Sequence, residues 1–255
     1  MIEKVGIIGV GHLASYLVEG LKKASKDIKI ILSPRNREIS SKLATQFGVK
    51  VAKNNESVVN SSDIVILTTR PDDTIKVAKN LKFRTNQTVI SVAIGLSLKK
   101  LESVTIPAKV IRALPISCAA INQSPTLLFP DNVYAREIFS LLGTVHILQN
   151  ESEFTHASVI GAFYAWMFVL LNETISWVAL KGVPQSIARN LVLETVRGTV
   201  NMALNEPNKD LDVILDTLAT PGGITEYGLT VLLRQKGISA WIDAFDAVYN
   251  YLKKK

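Results

Sequence analysis

The sequence contains a single cysteine, Cys118, among its 255 residues. One thiol cannot form an intramolecular disulfide, which excludes a disulfide-stapled secreted scaffold and fits a reducing compartment such as the cytoplasm. A catalytic cysteine would need a histidine base, and no motif places His12, His146 or His156 beside it. We therefore expect Cys118 to be a small buried apolar residue and not a nucleophile.

Metal-ligand motifs are also missing, since the sequence has no Cys/His cluster and no H-E-x-x-H. The most apolar run, 157-ASVIGAFYAWMFVLL-171, spans about 15 residues before Asn172 and Glu173 interrupt it, which is short for a membrane span. The amino-terminal residues lead directly into a strand-like run without a signal-peptide pattern. We expect a cytoplasmic protein with no bound metal and no membrane partner.

Positive charge is in modest excess, since the net charge is +7. Charged residues make up 20% of the sequence and hydrophobic residues 47%. This composition is typical of a soluble globular protein. The basic residues are spread along the sequence, and the one dense run, 253-KKK-255, reads as a solvated tail. Because no nucleic-acid-reading motif accompanies the charge, we expect no nucleic-acid partner. An anionic small molecule suits the same charge.

The arrangement of apolar residues changes near residue 150. Before that point, short β-branched runs alternate with stretches of helical period, which predicts βαβ units around a parallel sheet. After it, the sequence reads as helices only. The predicted fold is α/β: a Rossmann-type doubly wound parallel sheet over residues 1–150, followed by an all-α domain over residues 151–255. The predicted strands are Val5–Ile8, Ile28–Leu32, Ile64–Leu67, Val89–Val92 and Val110–Ile111, and the predicted helices of the second domain are 152–181, 184–205, 209–218 and 225–252.

A G-x-G-x-x-A motif follows the first predicted strand and opens a helix. The first glycine permits a tight turn, the second lets the backbone approach a pyrophosphate, and a small third residue lets helix and strand pack closely. Free N–H groups at the helix amino terminus then face the phosphates. The pattern predicts a dinucleotide site whose residues are Gly9, Gly11, His12, Leu13 and Ala14.

The end of the second predicted strand indicates which dinucleotide binds. An NAD site normally has Asp or Glu there to bond the ribose 2′-hydroxyl. This sequence instead has Ser33-Pro34-Arg35-Asn36-Arg37. A hydroxyl and guanidinium groups suit a 2′-phosphate through charge-assisted hydrogen bonds, so we predict NADP(H), with Ser33 and Arg35 as its contacts. The alternative is that the arginines are ordinary solvated loop charges.

The stretch 219-ATPGGITEYGL-229 places a proline and two glycines between helical runs. Its residues alone equally favour a corner between two helices and a loop that presents backbone N–H groups to an anion at a helix amino terminus.

Six segments together resemble the pyrroline-5-carboxylate reductase family, and the similarity runs over nearly the whole chain. The most specific is 220-TPGGITEYGL-229, which is similar to the family's Ser/Thr-Pro-Gly-Gly-Thr-Thr-x-x-Gly-Leu. Residues 67–72 resemble a Val-Lys-Pro element in which Arg70 replaces the lysine. The other segments are Gly9–Ala14, Ser33–Asn36, Ser91–Gly95, and Arg112–Pro115, the last of which is similar to Arg-x-Met-Pro.

The resemblance implies an NADPH-dependent reductase that reduces the C=N bond of a cyclic imino acid, foremost pyrroline-5-carboxylate to proline. It implies that the loop receives the substrate carboxylate on Gly222 and Gly223, beside position 224. It also implies that Thr225 bonds the ring nitrogen, which makes Thr225 the candidate catalytic residue. Further implied cofactor contacts are Asn36, Arg70, Pro71, Ala93 and Gly95. The helical domain is implied to pair with a second subunit, giving a homodimer or higher homo-oligomer.

Several residues depart from the family pattern near the expected substrate pocket. Ile116 stands where the family has asparagine, Ile224 stands at the first of two threonines, and Ile160 lies in a segment that is polar and glycine-rich in the family. An acidic residue of the long helix is displaced to Glu173. Either a divergent reductase still takes pyrroline-5-carboxylate, or the pocket serves a more apolar imine or a carbonyl compound. A third possibility is a non-catalytic regulatory protein that binds NADP(H).

Overall fold

The computed structural model describes residues 4–254 and divides into two compact units. One unit ends at Gly161 and also takes in the chain from Tyr249 onward, and the other is Ala162–Val248. The last strand ends at Ile147 and a helix begins at Glu151, close to the predicted change at residue 150. The assignment of residues 1–150 and 151–255 as functional domains stays a prediction.

An eight-stranded sheet forms the centre of the first unit, in the order β3-β2-β1-β4-β5-β6-β7-β8. Neighbouring strands from β3 to β6 are parallel, whereas β7 runs antiparallel to β6. The carboxyl ends of β1, β2, β4, β5 and β6 therefore share one edge, where ligands of such sheets bind. The strands are β1 (Lys4–Ile8), β2 (Lys29–Leu32), β3 (Lys50–Val51), β4 (Ile64–Leu67), β5 (Thr88–Ser91), β6 (Lys109–Leu114), β7 (Thr126–Phe129) and β8 (Val145–Ile147).

All five predicted strands are present, and three further strands were missed. β3 has only two residues, too few for a periodic signal. β7 and β8 are short, and their place is set by pairing with distant strands, as in the register Arg112↔Phe129. Long-range pairing of this kind leaves no local pattern in the sequence, so the antiparallel strand β7 was not among the predicted strands of the parallel sheet.

Helices cover both faces of the sheet and bury two separate apolar layers. Leu17 and Leu21 of α1 pack in one layer with Val5 and Ile30, and Leu101 of α5 packs in the other. This arrangement confirms the doubly wound prediction. Cys118 lies in a 3-10 turn (Ser117–Ile121) and is partly exposed, so the expectation that it is buried was wrong. The helices are α1 (His12–Ala24), α2 (Arg37–Phe47), α3 (Asn55–Asn60), α4 (Pro71–Ala78), α5 (Leu98–Thr105), α6 (Val133–Ser140) and α7 (Glu151–Ala157).

The rest of the chain is helical, with two more interruptions than predicted. Residues 152–181 are divided by a turn at Ser158-Val159, and residues 225–252 are divided near Lys236, whose φ of 56° is left-handed and ends a helix. The helices are α8 (Ile160–Leu180), α9 (Gln185–Asn205), α10 (Leu211–Leu218), α11 (Ile224–Arg234) and α12 (Gly237–Lys253).

The second unit buries few residues of its own. Ile175 of α8 packs with Ala188 and Val192 of α9, while many large apolar side chains on these helices are exposed. The stretch Glu151–Leu180 is long and apolar enough to cross a membrane by length and composition, and 11% of its most apolar window is buried. The same exposure is typical of a surface that pairs with another subunit. Exposed side chains include Phe168, Val169, Trp177, Leu180, Leu204 and Leu211.

Candidate functional site

The turn between β1 and α1 has two glycines, of which the fold requires one and leaves open space at the other. Gly9 has a φ of +102°, and a Cβ atom there would lie 2.8 Å from the backbone nitrogen of Thr69. Gly11 has an ordinary φ of −127°, and a Cβ atom on it would meet no atom of the chain within 4 Å. The fold itself therefore demands glycine at 9. At 11 it leaves open space that a side chain would fill, which fits close approach of a phosphate to the backbone.

The amino terminus of α1 retains its positive potential. No side chain caps the helix, and its first turn contains no acidic residue. The first-turn N–H groups of His12, Leu13 and Ala14 are those that an anion at this end of the helix would meet. His12 is exposed and Ala14 is fully buried. The structure thus brings all five predicted residues of the motif together in a cradle suited to a pyrophosphate.

Hydrogen bonds from the neighbouring strand ends fix this turn. The Gly9 N–H donates to Ser33 Oγ at 3.1 Å, and the Thr68 hydroxyl donates to the Gly9 carbonyl oxygen at 2.7 Å. Ser33 is 1% exposed, so its oxygen is part of the scaffold behind the turn. Sequence reasoning missed Thr68, whose position directly after β4 was the available signal.

The segment after β2 contributes exposed guanidinium groups. Arg35 Nη1 lies 3.7 Å from Asp73 Oδ2, and the side chains are 71% and 40% exposed, which makes this a weak surface pair. It places the segment after β2 beside the segment after β4, where Arg70 and Pro71 begin α4. Asn36 caps α2, because its Oδ1 accepts the Ile39 N–H at 3.2 Å.

The loop after β5 completes this edge of the sheet. Ala93 is buried, and Gly95 has a φ of +82°, a backbone conformation that favours glycine. The loop is anchored where Glu151 Oε1 accepts the Leu98 N–H at 2.6 Å.

An ion pair between a buried guanidinium and a partly exposed carboxylate holds Glu151 in place. Arg112 Nη1 donates to Glu151 Oε1 at 2.8 Å, and the Arg112 guanidinium lies 4.3 Å from the centre of the Phe154 ring. Burial lowers the pKa of the Arg112 guanidinium, and the Glu151 carboxylate opposes that shift. Arg112 Nε is buried without a partner among the described residues, which makes the remaining pair costly to break. The pair positions the Ala93–Gly95 loop; neither residue was predicted to do so.

Ile116 follows β6 and is buried within the chain. Its N–H donates to Ser124 Oγ at 2.9 Å, and its side chain is 9% exposed. Ile160, the first residue of α8, is instead exposed. Of these two apolar residues that depart from the family pattern, Ile160 is therefore the one whose side chain is accessible.

The Thr-Pro-Gly-Gly segment joins α10 to α11 in the second unit. Gly222 has a φ of +73°, and its N–H donates to Glu226 Oε2 at 2.7 Å. The Gly223 N–H donates to the Thr220 carbonyl oxygen at 2.9 Å. Both N–H groups predicted to receive the substrate carboxylate therefore have partners within the loop.

A carboxylate does occupy this loop, namely that of Glu226 in the first turn of α11. Glu226 was not among the site residues predicted from the sequence. The signal for its contact was its place three residues after Gly223, the position from which a glutamate reaches back over a helix start. Thr225 and Ile224 are exposed on the same turn, and Ile224 is 93% exposed.

Two family models match the chain. The model described as "NADP oxidoreductase coenzyme F420-dependent" matches residues 4–95, and the model described as "Pyrroline-5-carboxylate reductase dimerisation" matches residues 151–255. A pyrroline-5-carboxylate reductase of Methanosarcina acetivorans is 28% identical over 93% of this chain and 92% of its own length. The chain is therefore similar to pyrroline-5-carboxylate reductases over nearly its whole length, and its residues 151–255 match their dimerisation region.

Solved structures show the same similarity. The crystal structure of the 1-pyrroline-5-carboxylate reductase of Streptococcus pyogenes has a TM-score of 0.86 and 26% identity, covering 99% of this chain and 98% of that one. The Plasmodium falciparum pyrroline carboxylate reductase, solved with NADP bound, has a TM-score of 0.88 at 22% identity, covering 99% and 97%. The family fold, a Rossmann domain followed by a helical domain, is thus confirmed. The match of the dimerisation model to residues 151–255 supports homo-oligomerisation.

Proposed function

We propose that this protein is an NADPH-dependent reductase that transfers a hydride to the C=N bond of a cyclic imino acid, pyrroline-5-carboxylate, to give proline. The observation that carries the proposal is the cradle at Gly11, where a turn fixed by the fold leaves room for a ligand beside an uncapped helix end. Similarity to the pyrroline-5-carboxylate reductase family supplies the reaction class. The relatives that match over most of the chain are named as reductases of this substrate.

The cofactor is NADP(H), which supplies the hydride when it is bound. Gly9, Gly11 and the first-turn N–H groups of His12, Leu13 and Ala14 would hold its pyrophosphate. Arg35 would hold the 2′-phosphate, since its guanidinium is exposed at the end of β2 and its one ion pair within residues 4–254 is the weak contact to Asp73. Ser33 and Asn36 belong to the scaffold behind these contacts. The nearby segments that contain Arg70 and Pro71, and Ala93 and Gly95, would supply the remaining contacts to the cofactor.

The substrate half of the proposal places the imino acid on the loop before α11. Thr225 is the candidate group for the ring nitrogen, and Gly222, Gly223 and position 224 form the candidate carboxylate cradle. Because the Gly222 N–H donates to Glu226, a substrate carboxylate has to displace that side chain or share the helix amino terminus with it. Two carboxylates at one helix end repel each other, so Glu226 opposes binding of an anionic substrate.

That contact favours a second candidate function, reduction of a more apolar imine or carbonyl compound that lacks a carboxylate. Ile224 is 93% exposed beside the loop and offers a methyl-rich surface where a threonine would offer a hydroxyl. A substrate without a carboxylate would leave the Glu226 contact intact.

We propose that the protein is a homodimer, or a higher homo-oligomer, paired through its carboxy-terminal helices. The exposed apolar side chains of α8 to α11 would be covered by a second copy, whose dimerisation region is the same. Burial against a second copy would also explain why the stretch Glu151–Leu180 is apolar and exposed, without placing it in a membrane. A cytoplasmic location and the lack of membrane and nucleic-acid partners remain predictions.

The test is NADPH oxidation by the purified protein with pyrroline-5-carboxylate, with NADH run alongside and with 1-pyrroline, the same ring without its carboxylate, as the second substrate. Turnover of pyrroline-5-carboxylate with NADPH preferred supports the first function. Turnover of 1-pyrroline alone supports the second. Binding of NADPH, measured by its fluorescence, without turnover of either compound would contradict both and indicate a regulatory protein.

A further inference from the structure

Six lysines that are distant in the sequence line one cavity in the first unit. Three of them, Lys4, Lys29 and Lys50, are the first residues of β1, β2 and β3, which are parallel neighbours. The cavity therefore opens at the amino-terminal edge of the sheet, whereas the Gly9–Ala14 turn follows the carboxyl end of β1. The six lysines are Lys4, Lys22, Lys26, Lys29, Lys50 and Lys53.

The positive charge of this cavity is largely uncompensated. Asp27 is the one acidic residue among the lining residues that lie within the described range 4–254. Within residues 4–254, no ion pair joins any of the six lysines to a carboxylate. Lys4 stands directly opposite Lys29 in the β1–β2 register, an arrangement of like charges that costs stability. A bound anion would relieve that repulsion.

The lining residues also indicate the class of anion. Lysines bind phosphates as mobile point charges, and the hydroxyl of Ser61 can donate to a phosphate oxygen. The Ser57 hydroxyl already donates to Asn54 Oδ1 at 2.9 Å. The cavity has a volume of about 930 Å³, which is larger than one phosphate needs. None of its lining residues is aromatic, so it offers no platform on which a base could stack. Recognition would rest on several phosphate groups and not on a base.

We propose that this cavity is a binding site for a small, multiply phosphorylated anion, separate from the NADP(H) turn. The ligand is a chain of two or more phosphates, whether free or attached to a nucleoside. The proposal does not depend on the reductase function, because its residues lie at the opposite edge of the sheet.

Inorganic tripolyphosphate is the probe, and calorimetry on the full-length protein is the measurement. Lys29→Gln combined with Lys50→Gln should weaken its binding by about tenfold or more, since two charge-assisted contacts are lost. The double variant Lys76→Gln, Lys79→Gln is the matched control. Both residues are exposed and lie outside the cavity, and their substitution removes the same amount of charge. Gly11→Ala tests whether the probe binds the cofactor turn instead.

Loss of binding in the Lys29/Lys50 variant, with binding kept in the control and in Gly11→Ala, supports the site. ATP at equal affinity then identifies the phosphates alone as the determinant, and tighter ATP binding identifies a nucleotide as the source. The proposal is overturned if tripolyphosphate does not bind, if both lysine pairs weaken it equally, if Gly11→Ala alone abolishes it, or if citrate binds as well. Unchanged melting temperatures verify that the variants fold.

Discussion

The Glu226 carboxylate accepts a hydrogen bond from the Gly222 N–H at 2.7 Å, within the loop where the family resemblance places a substrate carboxylate. Since this contact is intramolecular, it competes with a bound substrate carboxylate for the Gly222 N–H. A ligand that needs the Gly222 N–H must break this hydrogen bond, and the free energy of that bond is subtracted from its binding.

Replacing Glu226 by Gln should therefore improve the use of pyrroline-5-carboxylate. The amide keeps its size and can still accept from Gly222, but it removes the negative charge that repels the substrate. We expect KM for pyrroline-5-carboxylate to fall by up to about tenfold, the effect of roughly 1.4 kcal/mol. KM for 1-pyrroline, which has no carboxylate, should stay unchanged. Steady-state kinetics with both substrates decides the matter, with Glu137→Gln as the control for loss of an exposed carboxylate on another helix. An equal change for both substrates would mean that Glu226 acts only by capping α11.

Ile224→Thr restores a hydroxyl at the exposed position of the same turn. If the loop holds the substrate carboxylate, one added donor should raise the apparent affinity for pyrroline-5-carboxylate by roughly tenfold, since such a bond contributes about 1–3 kcal/mol. Ile224→Val is the matched control, because it keeps the branched shape without a hydroxyl. Equal kinetics for the two variants would place position 224 outside the carboxylate cradle.

The two glycines of the phosphate turn should respond differently to the same substitution. Gly9→Ala forces a Cβ atom against the Thr69 backbone at a positive φ, so we expect it to lower the melting temperature. Gly11→Ala meets no atom of the chain, so we expect an unchanged melting temperature and weaker NADPH binding. Thermal unfolding and NADPH fluorescence on both variants check this. A Gly11→Ala protein with undiminished NADPH affinity would show that the cradle is not where the pyrophosphate binds.

The sequence predicted the elements that local patterns specify. The G-x-G-x-x-A turn, the apolar strands and the change to helices all depend on residues that are neighbours in the chain. What it missed depends on residues brought together from a distance. The Ser33 hydroxyl behind Gly9, the antiparallel β7, and the contact of Glu151 with Leu98 each join segments with no sequence pattern in common.

The same difference explains why the basic cavity was not predicted. Lys4, Lys29 and Lys50 are separated by long stretches, and each looked like an ordinary solvated charge. Parallel strand pairing sets Lys4 opposite Lys29, and it sets Lys50 opposite Ile31, two residues further along β2.

Cofactor preference should depend on Arg35 more than on Ser33, because the Ser33 oxygen is buried behind the turn while the guanidinium of Arg35 is exposed. Arg35→Gln removes the charge that would meet a 2′-phosphate and leaves the fold unaffected. We expect NADPH to bind about tenfold to a hundredfold more weakly, since hydrogen bonds to charged groups contribute about 1.5–3 kcal/mol. Binding of NADH, which has a hydroxyl at that position, should change little.

Asp73→Asn tests the same contact from the other side, because releasing Arg35 from its acidic neighbour should strengthen NADPH binding slightly. Titrations of NADPH and NADH by fluorescence measure both effects. If Arg35→Gln weakens the two cofactors equally, the arginine does not read the 2′-phosphate, and the preference for NADP(H) must come from another residue such as Arg37.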